Sequence, residues 1–108
     1  MAGEQLPSPN PIAGLNDAFR RTAVGDIFIS QGVQALPDIP GLVQAVRDFD
    51  TFTPDNDPLS EHDFGSVVWY EATTFWKIDY YDQELVYGEN PLSPECRRVM
   101  TVMLAEEY

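Results

Sequence analysis

Residues 64–81 read FGSVVWYEATTFWKIDYY, and this stretch decides the fold. β-Branched and aromatic residues dominate both halves, as in strands that form a pleated, half-buried surface. The spacing predicts strands over 64–71 and 74–81, with Ala72-Thr73 as a tight hairpin turn between them. Side chains alternate along a strand, so Trp76, Ile78 and Tyr80 share one face while Phe75, Lys77, Asp79 and Tyr81 share the other. The first set is apolar enough to be core. The second mixes aromatics with a Lys and an Asp, and is either a second packed layer or an exposed patch.

Upstream, residues 50–63 carry two prolines and turn-forming Asp, Asn and Ser, which marks a long loop. Before it, Leu42, Val43, Val46 and Phe49 make an apolar stripe on a helix opened by Asp38 or Gly41. Gly32, Pro37 and Pro40 lie in connecting structure. Asp26-Ile27-Phe28-Ile29-Ser30 has the composition of a short strand. Ile12, Leu15, Phe19 and Ala23 follow helical spacing, with Arg20 and Arg21 near the helix end and Gly25 as a stop. Residues 1–11, MAGEQLPSPNP, hold three prolines and little to bury, and are expected to form an extended leader.

Downstream, Leu85-Val86-Tyr87, ended by Gly88, is expected to add a short third strand. Ser93 as N-cap, Pro94 at N1 and Glu95 in the first turn predict a C-terminal helix. Cys96, Val99, Met100, Met103 and Leu104 would be its apolar stripe. The expected fold is α+β: a small, mainly antiparallel sheet of three to four strands with about three helices packed on one face. The chain divides into the leader 1–11 and a single domain over 12–108.

The 108 residues contain 18 acidic and 6 basic side chains, a formal net charge of −12. That is enough for a strong surface potential, which repels nucleic acid and anionic membrane and attracts cations or basic proteins. With 44% hydrophobic residues, including two Trp, five Tyr and six Phe, the chain is too apolar for a disordered acidic tail. One cysteine, Cys96, forms no internal disulfide, which fits a reducing compartment. The N-terminus lacks the charged and apolar regions of a secretory signal, and no apolar run reaches the roughly 18–20 residues needed to span a bilayer. A cytoplasmic location is expected.

The acids cluster. Asp48, Asp50, Asp55, Asp57, Glu61 and Asp63 follow Arg47 with no intervening cation, in three pairs spaced two residues apart. On an extended chain such pairs stand about 6.6 Å apart, comparable to successive phosphates of a nucleic-acid strand. An array of this kind would compete for Lys and Arg that contact a nucleic-acid backbone. The predicted contact set is Asp50, Asp55, Asp57, Glu61 and Asp63, with Tyr81 and Asp82 as neighbours. The competing explanation is that Asp is common in turns and an acidic face keeps a protein soluble.

Other chemistries are less well supported. Asp55-Asn56-Asp57 superficially resembles a calcium loop, but the EF-hand pattern then requires Asp or Asn at 59, Gly at 60 and Glu at 66, where Leu59, Ser60 and Ser66 stand. A different divalent site from Asp55, Asp57, Glu61 and His62 is the remaining metal arrangement; no metal and no cofactor is expected. His62, the one histidine, lies between Glu61 and Asp63 and could act as a proton shuttle. Ser60, Ser66 and Cys96 are the available nucleophiles, yet no nucleophile elbow accompanies them. An alternative small enzyme or metal-dependent module would centre on His62, Asp63 and Asp79. A structural His62, hydrogen-bonding its loop to the following strand, accounts for the same residues. Six cations cannot build a phosphate-tracking surface against a charge of −12, so direct nucleic-acid binding is excluded.

Several segments carry a resemblance: LNDAFRR (15–21), DFDTFTPDNDP (48–58), EHDFG (61–65), FWKIDYYD (75–82) and the ending MLAEEY. Together they resemble a small family of uncharacterised bacterial proteins, mostly alphaproteobacterial and associated with mobile elements, over about residues 12–108. The family has no assigned activity and supplies no functional residues. The resemblance implies a bacterial single-domain protein with a phage or plasmid association. Charge and resemblance together lead to the expected function. It is an acidic interaction module, in its sharpest form a phage or mobile-element inhibitor that mimics nucleic acid. Its expected partner is the basic surface of a nucleic-acid-binding host complex such as a CRISPR effector or restriction enzyme.

Overall fold

A computed structural model describes residues 10–108. The hairpin forms from strands β2 (Phe64–Trp69) and β3 (Ala72–Tyr81), paired antiparallel from Phe64↔Lys77 to Trp69↔Ala72. Its turn is Tyr70-Glu71, two residues before the expected Ala72-Thr73. Both turn residues have positive φ, 48° and 71°. That backbone matches the right-handed twist of the flanking strands, and here it is held by residues with no intrinsic preference for it. β1 (Ile27–Ile29) forms as expected.

The C-terminal helix does not form. Ser93-Pro94-Glu95 makes a turn, in which Ser93 Oγ accepts from the Glu95 amide, and the chain then enters strand β4 (Arg97–Leu104). β4 pairs antiparallel with β3 and parallel with β1, giving one sheet of order β1-β4-β3-β2. It is an inner strand, with Met100 and Val102 buried on one face and Val99 and Met103 on the other. A strand apolar on both faces loses its alternation and mimics a helical stripe, which is why the sequence pattern misleads here. The third strand expected at 85–87 is also absent. The Asp82 carboxylate accepts the Val86 and Tyr87 amides instead, and only one bridge, Tyr81↔Gly88, continues the ladder.

Among the described residues three helices complete the fold. α1 (Pro11–Thr22) is capped by Asn10, so it takes in the last residue of the expected leader; residues 1–9 of that leader lie outside the described residues. α2 (Gln31–Gln34), capped by Ser30, is a single turn in the stretch expected to be connecting structure. α3 (Ile39–Arg47) is capped by Asp38 and buries Leu42 and Val46. The chain ends in a short 3-10 turn, Ala105–Glu107.

The core joins Val33, Leu42 and Val46 of the helices to Trp76, Ile78, Met100 and Val102 of the sheet. Cross-strand register puts Val102 beside Trp76 and Met100 beside Ile78, so all of this core lies on one face of the sheet. Gly65 belongs to the same face: a Cβ there would overlap the Trp76 indole. The protein is a small α+β fold with its helices on one side of a mainly antiparallel sheet.

Candidate functional site

The acidic loop is not an extended ladder. Thr53 and Asn56 exchange side-chain and backbone hydrogen bonds across a turn, and the Asp57 amide closes on Thr53 O. Asp57 itself points inward at 6% exposure, and its carboxylate accepts the Glu61 and His62 amides. Glu61 accepts the Tyr80 hydroxyl proton at 3.0 Å. Asp48 accepts from the Gln44 amide side chain, and Asp50 and Asp55 are exposed. Of the predicted contact residues, Asp50 and Asp55 thus face solvent, Asp57 and Glu61 serve the loop's own architecture, and Asp63 lines a cleft. Tyr81 is half-buried on the strand face away from the core, and Asp82 organises the following turn.

Beneath the loop lies a polar cluster built largely by α1. Its inward residues are Ala13, Asn16 and Arg20, whereas Leu15, expected in the apolar stripe, is 45% exposed. His62 Nδ1 lies 3.0 Å from both carboxylate oxygens of Asp17 and donates its proton to them. The imidazole stacks on Phe52 at 3.8 Å and 4°, and Nε2 stands 3.7 Å from Asp57. These contacts tie the loop to α1; the anchor of His62 is the helix and not the strand that follows it.

Arg20 is fully buried. It donates to Val46 O and Phe49 O, pairs with Asp17 at 3.0 Å, and lies over the Phe52 and Trp76 rings. A guanidinium suits this place because its planar fork satisfies several fixed acceptors at once. Asn16 donates to Glu61 O and to the Tyr80 hydroxyl, and accepts from Arg98 Nε at 2.6 Å. Arg98 also donates to Pro91 O and covers the Tyr80 ring. Burial raises the Tyr80 hydroxyl well above the ordinary phenol range, and its bond to Glu61 adds to the shift, so it is a neutral donor. Asn16, Asp17, Arg20, Tyr80 and Arg98 escaped sequence reasoning. The one signal was the polar interruption of the α1 stripe.

Asp63 and Asp79, two members of the alternative catalytic set, do come together. They line a cleft of about 360 Å³ with Asp57, Lys77, Phe64 and Tyr108 among its walls. Burial holds the Asp63 carboxyl above its ordinary value, and the negative charges of Glu61, Asp57 and Asp79 push the same way. Lys77 pairs with Asp79 at 2.8 Å. His62, the third member, lines an adjacent cavity of about 200 Å³ with Phe52, Thr53 and Ser60; Asp57 borders both. His62 and the Asp63–Asp79 pair therefore occupy neighbouring spaces. Among the described residues, no group of three or more His, Cys, Asp or Glu side chains is arranged to hold a metal ion.

The cations are largely turned to internal use. Arg20 and Arg98 bind carbonyls and amides inside the fold, and Arg47 donates to Arg20 O and Ala23 O. Arg97 forks onto Asp26 at 2.8 and 2.9 Å, and Lys77 meets Asp79. Arg21 stands on the exposed side of α1. Exposed carboxylates meanwhile include Asp48, Asp50, Asp55, Glu71, Glu84 and Glu95.

The family model described as protein of unknown function (DUF3768) matches residues 29–107, so the chain belongs to that family. The matched span includes the loop, the hairpin and β4, and leaves out α1, which supplies Asn16, Asp17 and Arg20 to the polar cluster. No curated protein and no solved structure matches the chain.

Proposed function

We propose that this member of the DUF3768 family is an acidic protein-interaction module that docks on a basic surface of a partner. The observation that carries this reading is the disposition of charge. Five of the six Lys and Arg side chains make internal hydrogen bonds or ion pairs, while many carboxylates stand exposed. The surplus of −12 is therefore expressed at the surface, where it steers cationic partners. Proteins that bind nucleic acid present basic surfaces of the required sign. In its sharpest form the proposal is an inhibitor that occupies such a surface, in the manner of anti-CRISPR or anti-restriction proteins; the mobile-element association implied by the resemblance favours it.

Asp50 and Asp55 are the loop acids best exposed for that contact, with Asp63 at the cleft. The test is retention of a tagged protein's partner from bacterial lysate, with and without excess duplex DNA. A nucleic-acid-binding partner that DNA displaces, and that Asp50→Lys with Asp55→Lys fails to retain, is the expected result. Retention unaffected by both DNA and the double reversal overturns the reading.

A second reading keeps the alternative of a small enzyme or metal-dependent module at His62. Its support is the Asp17–His62 pair beside a cavity, an arrangement that orients an imidazole. It expects His62→Ala to abolish an activity while leaving the fold intact. A docking surface of distributed charge would barely register the same change.

A further inference from the structure

The sheet has a second face, opposite the helices, where β4 buries Val99 and Met103 but the main core cluster does not reach. Register places Phe28 beside Thr101, Thr101 beside Lys77, and Lys77 beside Phe64; the next rungs on the same side carry Phe75 opposite Met103 and Asp79 opposite Val99. None of these side chains belongs to the core cluster, which takes up residues of the opposite face. The helices also lie there: Arg20 of α1 meets Trp76, and Val33 of α2 and Leu42 and Val46 of α3 pack in the same cluster. Among the described residues no helix covers the second face. Tyr108 folds over one end, its ring 5.8 Å from Phe64 and 5.7 Å from Phe75, and loop residues Asn56, Pro58 and Leu59 border the same end. Phe28 remains 54% exposed on the edge strand β1, on the same side as the partly covered Phe64 and Phe75.

The cleft of Asp57, Asp63 and Asp79 opens on this same side, since Phe64, Lys77, Asp79 and Tyr108 belong to both. Asp63 and Asp79 meet one ammonium there, Lys77 is already paired with Asp79, and the buried Asp57 carboxylate behind them is held by the Glu61 and His62 amides. The surface therefore joins an aromatic platform to a hole of negative charge. A second copy of the chain is a poor occupant, because it would bring the same excess of carboxylates to the contact at a charge of −12 per molecule.

We infer that the helix-free face of the sheet is the docking surface, and that it takes a cationic segment of a partner protein whose apolar side chains cover Phe28 and Phe75 while a Lys or Arg enters the cleft at Asp63 and Asp79. The inference rests on the proposed acidic interaction module and names the surface it uses. A cation seated between those carboxylates offsets the negative charges of Glu61, Asp57 and Asp79 around the half-buried Asp63. An aromatic platform beside it supplies interface energy that charge alone does not, and makes binding less sensitive to salt than a purely electrostatic contact.

The test uses the full chain, isotopically labelled, titrated with a short peptide of equal numbers of Lys and Leu, and with a control in which Ser replaces Leu. The expected result is perturbation of the Phe28, Phe64, Phe75, Lys77 and Asp79 amides. Phe28→Ser should weaken the Lys/Leu peptide by about fivefold or more and leave the Lys/Ser peptide unchanged, because a central aromatic contact is worth roughly 1 kcal/mol or more. Asp63→Asn with Asp79→Asn should weaken both peptides.

Perturbation confined to residues 50–56 would overturn the inference and leave the proposed function standing on the loop. Self-association abolished by Phe28→Ser would assign the face to a second copy. Binding that appears only after deletion of residues 1–9 would assign it to the chain's own N-terminal segment. Failure of both peptides at low salt would remove the proposed function together with the inference.

Discussion

Asp63 shows how the loop's charges act on one another. Its carboxyl titrates above the ordinary 3.8 because burial and the neighbouring Glu61, Asp57 and Asp79 disfavour the anion. The folded state then holds this proton more tightly than the unfolded chain does. At neutral pH Asp63 is ionised at a cost to stability, and that cost is relieved as pH falls through the raised folded value towards 3.8. Asp63→Asn is therefore expected to raise the urea midpoint at neutral pH, with the gain gone at about pH 3, where Asp63 is protonated in both states. An equal gain at both pH values would show that packing, not charge, is responsible. Arg20 teaches the complementary lesson. Its sequence position near a helix end suggests a surface cation that complements the helix dipole, yet it is buried to satisfy two carbonyls at the end of α3 and beyond. Those acceptors belong to distant residues, so no local pattern announces them.

Among the elements, the hairpin turn is held by backbone rather than by residue preference. Tyr70 and Glu71 adopt φ of 48° and 71°, where Asn and Gly are at ease and larger side chains are strained. Replacing the pair with Asn-Gly is expected to stabilise the protein by about 1 kcal/mol, read as a higher denaturant midpoint with an unchanged slope. A lower midpoint would mean that the Tyr70 contact with Trp69 outweighs the relief of strain. β4 is the element whose type the sequence misrepresents. A good helix-start signal precedes residues whose spacing suits a helix, but Val99, Thr101 and Val102 are β-branched and the segment is apolar on both faces. Both features suit an inner strand, and the choice was settled by the vacant place between β1 and β3.

For the whole molecule the dominant quantity is the net charge of −12, and because most of the cations serve internal acceptors few are left to interleave with the exposed carboxylates. Self-repulsion among exposed carboxylates should destabilise the fold at low ionic strength. Raising monovalent salt from about 0.01 M to about 0.15 M shortens the screening length from roughly 30 Å to roughly 8 Å and is expected to raise the melting temperature. A melting temperature that falls with salt would show that the internal ion pairs outweigh the surface repulsion. The amino-acid sequence by itself determined the sign of the surface, the long loop after α3, the hairpin with its two faces and the α+β class, because composition and period-two alternation are local properties. Only the tertiary structure decided which face of α1 turns inward, that β4 is a strand, that Asp57 and Glu61 hold the loop while Asp63 and Asp79 share a cleft, and that among the described residues one sheet face carries no helix. Those outcomes depend on partners far apart along the chain, since a buried donor, carboxylate or strand edge takes its role from whatever the fold brings within about 3 Å of it.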